Sequence, residues 1–344
     1  MKKIIAETKE TKTGQPRQLE VINLLRGIAA LAVAWFHFTN GNVDFLDPGL
    51  LKISGKYGYL GVQVFFVISG FIIPYSLERS QFKMLPHHYK NFLAKRFIRL
   101  HPAYLASIAL TIFLWYLSTL HPQFQGSPPD IDPINLLLHF GYLNGIFNQP
   151  WISPVFWTLG IEFQYYFLIL LIWPLVSARG QVTKQIFGYT IIFLVPLAFN
   201  NSNLVFHWLN LFGLGIISFQ YFFNKVNFQK YCVLLCFMSI FCMSTLGLLF
   251  TLTGLLTSVC IVFVRVPKLG AFGLLSDLSY SLYLVHVPIG GRVINIGERL
   301  GDSTTILKFI VLLTAVVASL TFAYLMYVFI EKPTQRWSKS IKYN

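Results

Sequence analysis

Two ionisable residues interrupt the first apolar run of the chain, LLRGIAALAVAWFHF, and their types and spacing suit acyl transfer to a hydroxyl. Arg26 and His37 are eleven residues apart, which on a helix is only about 20° past three full turns and a rise of about 16 Å. One helix face therefore carries both. A neutral imidazole can take a proton from a hydroxyl at pH near 7, and a guanidinium can hold an anionic group. Each residue also has a plainer role open to it. Arg26 can snorkel to the headgroups, and His37 can be bonded to a neighbouring helix.

Further along, KNFLAKRFIRLHPAY places Arg96 and Arg99 three residues apart on one helix face, beside Lys90 and Lys95. Two guanidiniums so spaced can grip phosphate oxygens, and they can equally anchor a helix end at the cytoplasmic surface. Glu162 stands in the middle of an apolar run in FWTLGIEFQYYF, and Asp277 near the start of another in SDLSYSLYLVH. A carboxylate at membrane depth needs a cation or a donor, so both are candidates. The Asp277 segment also brings Tyr280, Tyr283 and His286 into one helical stripe, an aromatic packing face that ends in a histidine near the outer side. Gly58, Gly61 and Gly70 in YGYLGVQVFFVISGFIIP permit close helix approach or leave room for a thin ligand.

The elements that position these residues follow from composition. The 344 residues are 55% hydrophobic and only 12% charged, against about 25% charged for a soluble domain. Soluble globular, disordered and outer-membrane barrel classes are thereby excluded. Apolar stretches long enough to cross a bilayer fall at about 21–39, 58–77, 100–120, 154–177, 186–199, 204–223, 231–249, 251–264, 270–289 and 306–330. The expected fold is all-α, a polytopic membrane protein of about ten transmembrane helices, with 186–199 and 251–264 the shortest of them. With both termini cytoplasmic, 21 of the 27 Lys and Arg fall on inner connections, five on outer ones, and Arg26 within a span. The net charge of +14 is thus largely topology, and no nucleic-acid partner is expected. Residues 1–20 and 332–344 read as cytoplasmic tails around a transmembrane domain at 21–331, with no removed signal peptide. In the outer connection 121–153, LLLHFGYL is expected to lie in the interface or dip into the bundle. Cys232, Cys236, Cys242 and Cys260 lie in apolar runs without metal-ligand spacing, so no metal is expected.

The blocks together resemble the acyltransferase-3 family of integral membrane proteins that acylate sugar hydroxyls. The resemblance rests on Arg26 and His37 (R-x10-H), GYLGVQVFFVISGFII, and Arg96 with Arg99 (R-x-x-R). It continues with Trp157, Leu159, Glu162 and Tyr166 of FWTLGIEFQYYF, then LSYSLYLVHVP and the closing FIEKP. It implies about ten spans, an acyl-CoA donor, acetyl-CoA by expectation, and His37 as catalytic base. Some members carry an additional extracytoplasmic hydrolase-like domain, which this sequence is expected to lack. On this reading Arg26, Arg96 and Arg99 hold the donor's phosphates and its pantetheine arm rises toward His37. Glu162 orients His37 or the acceptor, and Trp157, Tyr280, Tyr283 and His286 line the acceptor side. The partners are acyl-CoA, a glycan or sugar-lipid acceptor and membrane lipid, with no cofactor bound permanently, in the cytoplasmic or inner membrane of a bacterium. Direct attack by the hydroxyl and a histidine-bound acyl intermediate are both open. A transporter or flippase of a sugar-lipid or small anionic solute is the competing class, because intramembrane His, Glu and Arg also mark solute paths.

Overall fold

A computed structural model describes residues 17–120, 131–178, 180–267, 270, 272–299 and 304–342, the side chains at 17, 18 and 272 excepted. Most of the expected tail 1–20, residues 121–130 of the outer connection, Arg179 and Lys268 lie outside the described residues. The regular secondary structure of the described residues is all helical, with no strand among them. In chain order the helices are α1 (Arg17–Asn40), α2 (Leu50–Gly55), α3 (Gly61–Arg79), α4 (Pro86–Thr119), α5 (Pro133–Phe140), α6 (Phe156–Val176) and α7 (Val182–Ala198). They continue with α8 (Val205–Phe222), α9 (Phe228–Leu246), α10 (Leu248–Phe263), α11 (Phe272–Val285), α12 (Gly291–Glu298), α13 (Thr305–Met326) and α14 (Lys332–Ser340).

Helices stand at all ten expected positions, and among the described residues seven segments are long and apolar enough to cross a membrane. These are Leu19–Asn40, Leu50–Arg79, Pro86–Thr119, Phe156–Val176, Val205–Phe222, Phe228–Leu246 and Thr305–Ser340, while Val182–Ala198 and Leu248–Phe263 are shorter apolar helices. The protein is a multi-pass membrane protein. Its outer surface is apolar: on α9 alone, Val233, Phe237 and Ile240 are exposed at helical spacing, the arrangement of a face turned to lipid. The largest departure from the expected boundaries is α4. It begins at Pro86 rather than near 100 and runs 34 residues, about 51 Å, so its first turns project beyond the hydrocarbon core.

Packing uses small residues where backbones must meet, because lipid supplies no hydrophobic drive between helices. Gly58 and Gly61 face the Ala32 and Ala29 carbonyls of α1, which sets α3 antiparallel to α1. A Cβ on Gly70 would strike the Phe212 carbonyl of α8, and one on Gly215 the Val67 carbonyl of α3. The three glycines of the second span therefore serve close approach. Gly70→Leu or Gly215→Leu is expected to force α3 and α8 apart at about 1–3 kcal/mol, read as a lower melting temperature and loss of the monodisperse peak of detergent-solubilised protein.

α1 and α11 run side by side and parallel, since Gly27 meets Leu275 and Ser276 while His37 meets His286. α11 ends at Val285 because Pro288 lacks the N–H that would continue it, and the turn His286–Gly290 widens so that Gly291 N–H reaches the His286 carbonyl. A second widened turn, Tyr327–Glu331, joins α13 to α14 just before Pro333. In the connection between α4 and α6, α5 turns Ile134, Leu137 and Phe140 outward. Its His139 is buried, Nδ1 donating to the Asn135 carbonyl at 2.9 Å and Nε2 accepting from Ile152 N–H at 3.1 Å. The segment is therefore a short helix with its apolar face outward, pinned from beneath by His139.

Candidate active site

A cavity of about 590 Å³ opens within the bundle between α1, α3, α4, α6, α11 and α14, within the usual range for small-molecule sites. Its lining includes five cations, Arg26, Arg79, Arg96, Arg99 and Lys339, against one carboxylate, Glu162. Arg26, Arg96 and Arg99, expected together from sequence, are thus brought to one wall from two helices. Arg96 lies over the rings of Phe92 and Tyr166, at 5.3 and 5.6 Å from their centroids, which fixes its guanidinium plane. Arg79 reaches back over Tyr75 and donates to its hydroxyl at 3.1 Å.

Glu162 accepts from Tyr166 at 2.7 Å and from Ser69 at 3.2 Å, and it shares electrostatic range of Arg26 with Arg99 and Glu331. Its hydrogen-bond partners are not His37. Thr158, one turn earlier in α6, meets the Tyr283 hydroxyl at 2.8 Å, so Glu162 lies about 6 Å further along the helix from that contact, toward Tyr166 and the arginine above it. Of the aromatic stripe on α11, Tyr280 and Tyr283 line the cavity. Tyr280 donates to the Leu100 carbonyl at 2.8 Å, which locks α11 to α4 one residue beyond Arg99.

His37, His286 and Trp157 stand outside the cavity lining. The His286 ring is 5.8 Å from Tyr283 and 5.2 Å from His37, so a continuous line of side chains leads from the cavity wall to His37. Trp157 packs against Trp208 at 5.4 Å and edge-on to Phe66 at 6.2 Å, and its neighbour Thr158 is the residue that reaches the cavity.

Two acidic residues change places relative to the sequence reading. Asp277 is exposed on α11 and pairs with the Tyr327 hydroxyl, so it is no buried carboxylate. Glu331 is 3% exposed, accepts from Ser281 at 2.6 Å and Gln335 at 2.9 Å, and faces Arg26 and Arg99 electrostatically. Hydropathy put it at the edge of the C-terminal tail. The widened turn Tyr327–Glu331 instead carries the helix on into α14, whose Ser338 bonds the Lys95 carbonyl on α4. The signal was present in the closing FIEKP and in the E-x-x-x-Q spacing of Glu331 with Gln335. Arg79 and Lys339 were likewise counted only as topology.

A multi-pass helical bundle with a cation-lined cavity and a histidine pair beyond it is the architecture at hand. The acyltransferase-3 family, described as "Acyltransferase domain", matches residues 19–328, and the chain belongs to it. Among similar proteins, the putative acetyltransferase ORF330 of Acidianus two-tailed virus is 27% identical over 59% of this chain and 58% of its own length. The putative membrane-bound transacylase BcsY of Komagataeibacter xylinus is 31% identical over 48% of this chain and 41% of its own. The O-acetyltransferase OatA of Staphylococcus aureus is 28% identical over 54% of this chain and 30% of its own. The chain spans about a third to three fifths of the length of these relatives. No solved structure matches it.

Proposed function

We propose that the protein is a membrane O-acyltransferase moving an acyl group, acetyl in the first instance, from cytoplasmic acyl-CoA to a hydroxyl of a cell-surface sugar or polysaccharide. The observation that carries this reading is the cavity itself, with Arg26, Arg96 and Arg99 on its wall and Tyr283 leading through His286 to His37. The family match and relatives named O-acetyltransferase and transacylase support it. The proposed topology has ten spans in a bacterial cytoplasmic or inner membrane, both tails on the cytoplasmic side. It is supported by the gathering of cavity cations with Lys225, ion-paired to Glu78 at 2.9 Å, toward the α3, α8 and α14 ends.

In this mechanism the anionic end of acyl-CoA lies against Arg96, Arg99 and Arg26, each guanidinium giving charge-assisted hydrogen bonds to phosphate oxygens. Glu162 and Glu331 keep Arg26 and Arg99 neutralised before the donor arrives. The pantetheine arm, thin and largely apolar, follows the Arg26 face of α1 for the rise of about 16 Å to His37. There His37 takes the proton of an acceptor hydroxyl as its oxygen adds to the thioester carbonyl. The C–S bond then breaks, the ester C–O bond is complete, and the proton passes from the imidazole to the departing thiolate. Tyr283 borders the acyl and acceptor end, with Trp157 packed behind the lining beside Thr158, while Tyr280 stands between that end and the arginine wall.

The test is release of free CoA by the purified protein in detergent, supplied with acetyl-CoA and a sugar acceptor and no solute gradient. Acceptor-dependent release is the expected result. No release, with solute movement once the protein is sealed into vesicles under a gradient, would assign it to the transporter class instead.

A further inference from the structure

We propose that His286 is a positioning residue that sets the tautomer and orientation of His37, an inference that rests on His37 being the base. The His286 ring is fully buried and stands 5.2 Å from that of His37, at an interplanar angle of 48°. Its Nδ1 lies 3.0 Å from the Leu282 carbonyl oxygen. A carbonyl only accepts, so Nδ1 carries the hydrogen and Nε2 presents a lone pair. That lone pair has no hydrogen-bond partner, although it is buried. A buried acceptor without a partner calls for an explanation.

The surroundings narrow what can satisfy it. The rings beside His286 are those of His37, Phe38 and Tyr283. Phe38 has no proton to offer, and the Tyr283 hydroxyl is engaged with Thr158 at 2.8 Å and near the Val155 carbonyl at 3.3 Å. An N–H of His37 is the remaining donor among these neighbours. The backbone holds His286 still: it opens the widened turn forced by Pro288, and Gly290 in that turn is pressed against Phe38, so α1 and the end of α11 cannot slide independently.

With one ring nitrogen of His37 donating to His286 Nε2, the other nitrogen keeps its lone pair free for the acceptor hydroxyl. This is the base-plus-orienting-group arrangement of other nucleophile-activating sites, with a neutral imidazole where many enzymes use a carboxylate. During transfer the hydroxyl proton moves to the free nitrogen of His37 and from there to the thiolate. His286 gains and loses no proton, and its hydrogen bond strengthens while His37 is charged.

Two substitutions separate positioning from packing. A glutamine side chain puts an acceptor where Nε2 stands, whereas asparagine reaches only the Nδ1 position and its bond to Leu282. His286→Asn is expected to lower kcat about 10- to 100-fold with the KM for acetyl-CoA and the Kd for CoA unchanged. His286→Gln is expected to stay within a few-fold of the unaltered protein. Equal activity of the two variants, at normal CoA affinity, would overturn the proposal. If His37→Ala is inactive while His286→Asn is fully active, only this inference falls. If His37→Ala retains activity, the underlying assignment of the base falls with it. A measurement that needs no folded His286 variant is the ¹⁵N imidazole spectrum of the unaltered protein. An Nδ1–H signal for His286 is expected, and an Nε2–H tautomer would contradict the proposal.

Discussion

His37→Ala is expected to lower acyl transfer about 10²- to 10⁴-fold, the usual contribution of a general base, while the protein inserts normally and binds CoA with unchanged affinity. His37 lies at the far end of the α1 face that begins with Arg26, next to His286 and away from the cationic wall. Losing it removes the proton acceptor but no donor contact, so kcat falls and donor KM does not. Direct attack also predicts that labelled acetyl-CoA, without acceptor, leaves no label on the protein. Retained transfer by His37→Ala at normal protein level would make it a packing residue.

Arg96→Ala and Arg99→Ala are each expected to weaken CoA binding about 10- to 100-fold, the magnitude of a lost charge-assisted hydrogen bond. Both residues line the cavity from the N-terminal half of α4, and Arg96 is held over Tyr166 and Phe92 in a fixed plane. Arg99→Lys should retain part of the affinity, because an ammonium supplies the charge without the fork. The readout is the Kd for CoA of purified protein by calorimetry, with the donor KM rising in parallel and kcat recovered at saturation. Unchanged affinity in both alanine variants would return the pair to the plainer role of anchoring α4 at the membrane surface.

Helix positions were legible in the sequence because, in lipid, long apolar runs must satisfy their own backbone hydrogen bonds, and helices stand where the ten runs lie. The convergence of Arg26 with Arg96 and Arg99 on one cavity was expected from the family resemblance, whereas the R-x10-H and R-x-x-R spacings alone specify only a face on each helix. Less of the site's depth could be read. Asp277 looked buried because its run is apolar on average, but it occupies an exposed position of α11 beside Tyr327. Glu331 stood at the last position of the expected transmembrane domain, and although FIEKP and the E-x-x-x-Q spacing marked it, hydropathy does not announce that the turn Tyr327–Glu331 widens and carries the acid inward to Ser281. The partners of Glu162 were hidden for a third reason. Ser69 lies on α3, and only the α3 to α6 packing brings its hydroxyl to that carboxylate. Arg79 and Lys339 were indistinguishable from orienting charges until α14 was seen folded against α4.

The most direct measurement is a structure of the protein bound to a non-hydrolysable acyl-CoA analogue. Phosphates against Arg26, Arg96 and Arg99, with the acyl carbonyl carbon close enough to His37 for a hydroxyl held by the imidazole to attack it, is the predicted arrangement. An analogue bound away from the cavity, or one whose acyl group stops short of Tyr283, would contradict it.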